Sequence, residues 1–160
     1  MLKQYYKPET YQCRQSVAYL VRRARNLITA HVEDLFRRKF ARQGITFQHW
    51  VILMCLRDDL ARTPSEISQY LCYDSGALTR VIDQMEKRGL VKRDRSTEDR
   101  RVIELTLTAG GRKTLESLIP IVVEFYNELL ADFSHDEADT LVRLLSKFVG
   151  TLSELPRPGD

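Results

Sequence analysis

Between Thr63 and Gly89 the chain spells two short helices, each with its own start and stop. In TPSEISQYLC, Thr63 is an N-cap, Pro64 fits the first helical position, and Glu66 stands where a capping box wants it. Ile67, Tyr70 and Leu71 form its expected inner face. Asp74 then caps DSGALTRVIDQMEKRGL, where Leu78, Ile82 and Met85 make a buried stripe and Gly89 ends the helix. Neither helix is long enough to own a core, so their apolar faces must meet across the turn, which is a helix-turn-helix. A strand near Leu90–Arg93, a charged tip and a return strand near Val102–Leu107 follow at once. That hairpin reads as a wing, with its Arg-rich tip beside the polar face of the second helix.

The flanks are helical. Val17, Leu20, Val21, Ala24, Leu27, Ile28, Leu35 and Phe36 recur at three- and four-residue steps, predicting a long helix over about 12–42 that Gly44 ends. Thr46 caps a short buried helix, TFQHWVILMCL. After the wing, Leu115, Leu118, Ile119, Val122, Phe125, Tyr126, Leu129 and Phe133 stripe a helix from Thr108, in which Pro120 predicts a kink or a break. Ser134 with Glu137 opens a last helix carrying Leu141, Leu144, Leu145, Phe148 and Leu152. The expected fold is mainly α: a winged helix-turn-helix lobe with a two-stranded β wing over 45–110, and long outer helices over 12–44 and 112–153. All of it belongs to one chain of 160 residues.

Charge separates along this plan. Residues 1–113 hold 22 Lys and Arg against 13 Asp and Glu, whereas residues 114–160 hold 3 against 9. Such segregation points the first two-thirds toward a polyanion. No apolar run approaches a membrane span, and MLKQYYKPETYQC lacks a signal-peptide core, so the expected place is the cytoplasm, away from membranes. Cys13, Cys55 and Cys72 are odd in number and irregularly spaced, which predicts reduced thiols. His31, His49 and His135 show no metal-ligand spacing, and the chain has no HExxH, Walker loop, GxSxG or CxxC. The expectation is therefore no enzyme, no metal and no cofactor.

DSGALTRVIDQMEKRGLVKR and STEDRRVIELTLTAGG resemble the MarR-type winged-helix transcription regulators, the likeness resting most on Asp99, Arg101, Leu107, Thr108 and Gly110. The resemblance implies a homodimer whose first and last helices interlock and whose two lobes bind a pseudo-palindromic operator in double-stranded DNA, usually to repress. The broad apolar stripes of the outer helices call for such a partner independently. Ser75, Gly76, Ala77, Thr79 and Arg80, at the start of the second helix, would enter the major groove, where Ser, Thr, Ala and Arg each have base-edge partners. Thr63, Ser65 and Gln69 are candidates for phosphate contacts. In the wing, the resemblance assigns Arg101 to the minor groove with Asp99 bracing its guanidinium, and Arg95 and Arg100 are placed to meet phosphates.

Many relatives bind small aromatic acids between the dimer helices and the DNA-binding lobe. Here Tyr19, Arg22, Arg23, His31, Phe47, His49 and Trp50 are the expected lining, which suits a small aromatic anionic effector. Trp50 also fits the core and His49 a helix cap. The alternative input is oxidation, because Cys13 lies among Tyr5, Tyr6, Tyr11 and Tyr19. The resemblance puts the sensing position nearer Arg22, which leaves Cys13 out of register.

Overall fold

The computed structural model describes residues 5–96 and 99–156 and divides into two compact units, 1–119 and 120–160. In the first unit a long helix α1 (Val17–Phe40) is followed by α2 (Phe47–Arg57), α3 (Pro64–Leu71) and α4 (Ser75–Lys87). Strands β1 (Val91–Arg95) and β2 (Ile103–Leu107) come next, and α5 (Ala109–Leu129) begins here. The strands are antiparallel and pair Val91 with Leu107 and Arg95 with Ile103. The Leu105 N–H also bonds the Arg62 carbonyl at 2.8 Å, which ties the segment before α3 to the edge of the hairpin.

One apolar core gathers these elements. Phe36 from α1, Ile52 and Leu53 from α2, Ile67 from α3, and Leu78, Ile82 and Met85 from α4 are fully buried with Val91 and Leu105 of the hairpin and Leu118 of α5. Tyr70 departs from its expected place on the inner face of α3: it is 56 % exposed. An eight-residue helix turns only about twice, so Ile67 alone of its residues is fully buried. At the junction of wing and α5, the Thr108 hydroxyl donates to the carbonyls of Gly89 and, at 3.2 Å, of Leu90, and accepts the Gly111 N–H at 2.9 Å. A Cβ on Gly111 would stand 1.9 Å from the Leu90 carbonyl oxygen, so only glycine fits this crossing.

The first helix starts later than its periodicity suggested. The Ser16 hydroxyl accepts the Tyr19 N–H at 3.2 Å and donates to the Cys13 carbonyl at 2.7 Å, so Cys13–Gln15 forms a separate 3-10 turn. The Tyr6 hydroxyl takes the Val17 N–H at 2.9 Å, and Tyr5, Tyr6 and Tyr11 stack edge to face behind it. Apolar spacing is blind to a cap donated eleven residues away. Only the C-terminal half of α1 is buried, through Val32, Leu35, Phe36 and Phe40. Val17, Leu20, Val21, Leu27 and Ile28 lie exposed.

The second unit holds the last turns of α5 and helix α6 (His135–Ser153). Of the kink or break expected at Pro120, the break is absent: helix α5 continues through it. Proline removes one N–H from the ladder while the bonds on either side continue. Ser134 and Glu137 form the expected capping box on α6. No described residue of α6 is buried, and Leu141, Val142, Leu144, Leu145, Val149 and Leu152 remain exposed on it. No helix among the described residues is long and apolar enough to cross a membrane.

Candidate nucleic-acid interface

Local capping chemistry builds the helix pair. The Thr63 Oγ1 accepts the Glu66 N–H at 3.2 Å, and Glu66 Oε2 accepts the N–H groups of Thr63 and Arg62, both at 2.9 Å. Those backbone donors hold the Glu66 carboxyl below its usual range. Thr63 is thus engaged as a cap, while Ser65 and Gln69 are exposed. The chain then turns through Cys72 in the left-handed region (φ 52°), and the Ser68 hydroxyl donates to the Tyr73 carbonyl at 2.8 Å. Asp74 Oδ1 takes the Ala77 N–H at 2.8 Å and starts α4.

On α4 the expected contact residues share an open face. Ser75, Gly76, Ala77, Thr79 and Arg80 are all exposed, whereas Leu78 between them is buried. The Thr79 hydroxyl donates to the Ser75 carbonyl at 2.8 Å, which leaves its lone pairs free to accept from a base edge or a backbone N–H. Arg80 Nε reaches the Gly76 carbonyl at 3.4 Å, a long bond that a guanine acceptor pair would readily displace.

The first strand runs two residues further than expected while the second starts one residue later, so Arg95 lies in β1 opposite Ile103 rather than in the tip. At the tip the Ser96 N–H bonds the Val102 carbonyl and the Val102 N–H bonds the Asp99 carbonyl, both at 2.9 Å. In this structure Asp99 forms no ion pair with the Arg101 guanidinium. Its Oδ1 accepts the Arg101 main-chain N–H at 2.9 Å and closes the turn from inside. An Asp two residues before a backbone donor makes this bond more easily than it reaches a long, solvated side chain. Arg95, Arg100 and Arg101 are exposed and form no ion pair with any described residue. On the hairpin's outer side Asp94 pairs with Lys92 at 2.7 Å and accepts the Thr106 hydroxyl at 2.9 Å, and both keep its carboxyl below the usual range.

Sequence reasoning missed Arg93. Its guanidinium pairs with Asp83 at 2.6 Å and with Glu86, joining β1 to α4. A signal was present, since Asp83 and Glu86 are spaced to share a helix face, but periodicity does not say which strand residue crosses to them.

Within one chain the expected effector residues do not converge. Trp50 is 7 % exposed and packs with Phe36, whose ring centroid is 6.4 Å away. His49 is 2 % exposed: its Nδ1 accepts the Thr46 N–H at 3.2 Å while its own N–H bonds Thr46 Oγ1 at 3.3 Å. Burial, and then the charge of Arg88, lower its pKa and keep the ring neutral. Tyr19, Arg22 and Arg23 are on the opposite end of α1, with Arg23 donating to the Tyr19 hydroxyl at 3.2 Å. At 1.5 Å per residue the 17 steps from Tyr19 to Phe36 span about 25 Å, too far for one small molecule. His31 is exposed on α1. Phe47 lines an open cavity of about 450 Å³ with Phe36, Ile45, Thr46, Glu33 and Arg37. Of the thiols, Cys13 and Cys72 are exposed; Cys55 is buried, which raises its pKa and leaves it inert.

A family model described as the MarR family matches residues 45–103, the span from α2 to the start of β2. The uncharacterised HTH-type transcriptional regulator YwoH of Bacillus subtilis is 33 % identical over 106 residues, covering 66 % of this chain and 77 % of its own length. A crystal structure of a MarR mutant from E. coli complexed with operator DNA superposes with a TM-score of 0.66 at 28 % identity, covering 82 % of this chain and 94 % of its own. BpsR of Bordetella bronchiseptica, whose DNA binding is regulated by 6-hydroxynicotinic acid, does so with a TM-score of 0.69 at 25 % identity, over 91 % and 99 %.

Proposed function

The chain belongs to the MarR family of DNA-binding transcription regulators, which are not enzymes, and from that premise we propose a homodimeric repressor of a pseudo-palindromic operator, released by a small aromatic anion. The observation that carries the DNA-binding reading is the exposed start of α4 together with a hairpin clamped to the same helix. One exposed face holds Ser75, Gly76, Ala77, Thr79 and Arg80, and a hairpin clamped to the same helix ends in Arg100 and Arg101. The start of α4 enters the major groove to read base edges, and Arg101 enters the adjoining minor groove, where a narrow width concentrates negative potential. Arg95, Arg100, Ser65 and Gln69 then face phosphates.

Dimerisation rests on the bare apolar stripes. Val17, Leu20, Val21, Leu27 and Ile28 on α1 and Leu141, Leu144, Leu145, Val149 and Leu152 on α6 are large apolar side chains left exposed at helical spacing, as at a protein interface. The repeat of one groove-entering lobe per subunit fits half-sites about one helical turn, ~34–36 Å, apart. The effector reading rests on the aromatic cavity of Phe36 and Phe47 and on the likeness to BpsR. Because Tyr19, Arg22 and Arg23 are remote from that cavity in one chain, a second copy has to supply them if they share the ligand.

Light scattering at micromolar concentration tests the dimer, with about twice the 18.7 kDa chain mass expected. Gel shift against DNA upstream of the protein's own coding sequence tests operator binding. A hydroxybenzoate or hydroxynicotinate added to that complex should free the DNA and change the fluorescence of the single tryptophan, Trp50, which packs on the cavity residue Phe36. Release by peroxide that a Cys13→Ser variant loses makes the protein a thiol sensor instead.

A further inference from the structure

Arg93 sits in the middle of β1, opposite Leu105, with its side chain 27 % exposed. Its Nη2 lies 2.6 Å from Asp83 Oδ1, its Nη1 pairs with Glu86, and its main-chain N–H leans on Glu86 Oε1 at 3.4 Å. One guanidinium therefore grips two carboxylates a turn apart on α4. Asp83 follows Thr79 by one helical turn, so the clamp closes directly below the groove-facing end of the helix.

We propose that Arg93 is the positioning residue that sets the angle of the wing against the recognition helix, so that the α4 face and Arg101 reach neighbouring grooves as one rigid unit. The proposal rests on the DNA-binding reading above. A two-stranded hairpin is marginal by itself, and it twists freely unless something fixes it. Buried Val91, Leu105 and Leu107 hold the base of this one to the core. Beyond Arg93, β1 runs only to Arg95 before the tip, and a small rotation at the base becomes a displacement of several ångströms where Arg101 stands. Hydrophobic contacts at the base resist separation but poorly specify an angle. A planar fork reaching two fixed acceptors does specify it, which is why arginine serves here and lysine would not. The same guanidinium offsets one of the two negative charges that Asp83 and Glu86 place on the helix that faces the DNA.

Those two roles, angle and charge, separate in a mutational cycle on the full-length protein and its operator. Arg93→Gln should weaken binding on the order of tenfold, and in that background Arg101→Ala should cost less than about twofold instead of about tenfold, because a finger that is no longer aimed has little to lose. Arg93→Lys should fall between. Removing the exposed carboxylates as well, in Arg93→Gln/Asp83→Asn/Glu86→Gln, should leave the Arg101 penalty small. Return of both affinity and penalty to parental levels in that triple variant would make Arg93 a charge neutraliser only and overturn the proposal; so would a full Arg101 penalty in Arg93→Gln. The Asp83→Asn/Glu86→Gln pair cuts the clamp from the helix side if Arg93→Gln fails to fold. The unbound protein gives a reading independent of Arg101: residual dipolar couplings of wing and α4 amides should fit one common orientation in the parent and not in Arg93→Gln. An unchanged fit refutes the clamp even where the groove finger stands. No loss on Arg101→Ala in the parent refutes the finger and leaves the clamp to be decided by the couplings.

Discussion

Replacing Asp99 by Ala and by Asn isolates one hydrogen bond in the wing tip. Both variants remove the same charge. Only Asn keeps an oxygen that can accept the Arg101 N–H, the bond found at 2.9 Å to Asp99 Oδ1. Two other bonds at the tip, from Ser96 N–H to Val102 O and from Val102 N–H to Asp99 O, are main-chain and survive both changes. A solvent-exposed hydrogen bond of this kind contributes about 0.5–1.5 kcal/mol net, and exposure favours the lower end. The Asn variant should therefore bind operator about two- to tenfold more tightly than the Ala variant. The charge effect runs the other way from the parent: a carboxylate about 8 Å from a phosphate costs about 0.5 kcal/mol in water. Asp99→Asn should then equal or slightly exceed parental affinity, and Asp99→Ala should be weaker than Asn in every salt. Fluorescence anisotropy with a labelled operator at 50 and 200 mM salt measures both. Equal affinities for the Ala and Asn variants would refute the turn-closing role; equal losses in both would restore the carboxylate to the Arg101 guanidinium, where the sequence first put it.

Operator affinity should fall steeply with salt as Lys and Arg displace counterions, and Arg101→Ala should lower the log–log slope by about 1, as a residue that meets the phosphate field. A flat dependence contradicts the polyanion reading. Urea unfolding should show stability falling as pH drops below about 6.5, since the folded state lowers the His49 pKa and the unfolded chain takes up the proton first; this contribution is present above the ordinary His value and lost as pH falls through the folded one. His49→Gln should flatten that dependence, and an unchanged profile would place the titration elsewhere. Gly111→Ala should destabilise by about 1–3 kcal/mol because its Cβ meets the Leu90 carbonyl at 1.9 Å, whereas Gly150→Ala, with open space around it, should not, as thermal melts will show.

The caps were legible because they are local: Thr63 with Glu66, Asp74, Thr46 and Ser134 with Glu137 each announce a helix within four residues, and the structure places a helix at each. The buried stripe of Leu78, Ile82 and Met85 was legible for the same reason, and with it the exposed face opposite. Periodicity misplaced Tyr70, since a short helix offers more apolar positions than its neighbours can cover. It also hid the start of α1, which a tyrosine hydroxyl eleven residues upstream closes.

Sequence by itself determined the order of elements, the helix-turn-helix and its wing, and which side chains at the start of α4 are exposed, because backbone capping and three- to four-residue spacing are written in adjacent residues. Tertiary structure alone decided what long side chains do. Arg93 crosses to Asp83 and Glu86, and Phe47 meets Phe36 at the far end of α1 from Tyr19. A flexible side chain has several partners within reach, and only packing between distant segments selects one of them.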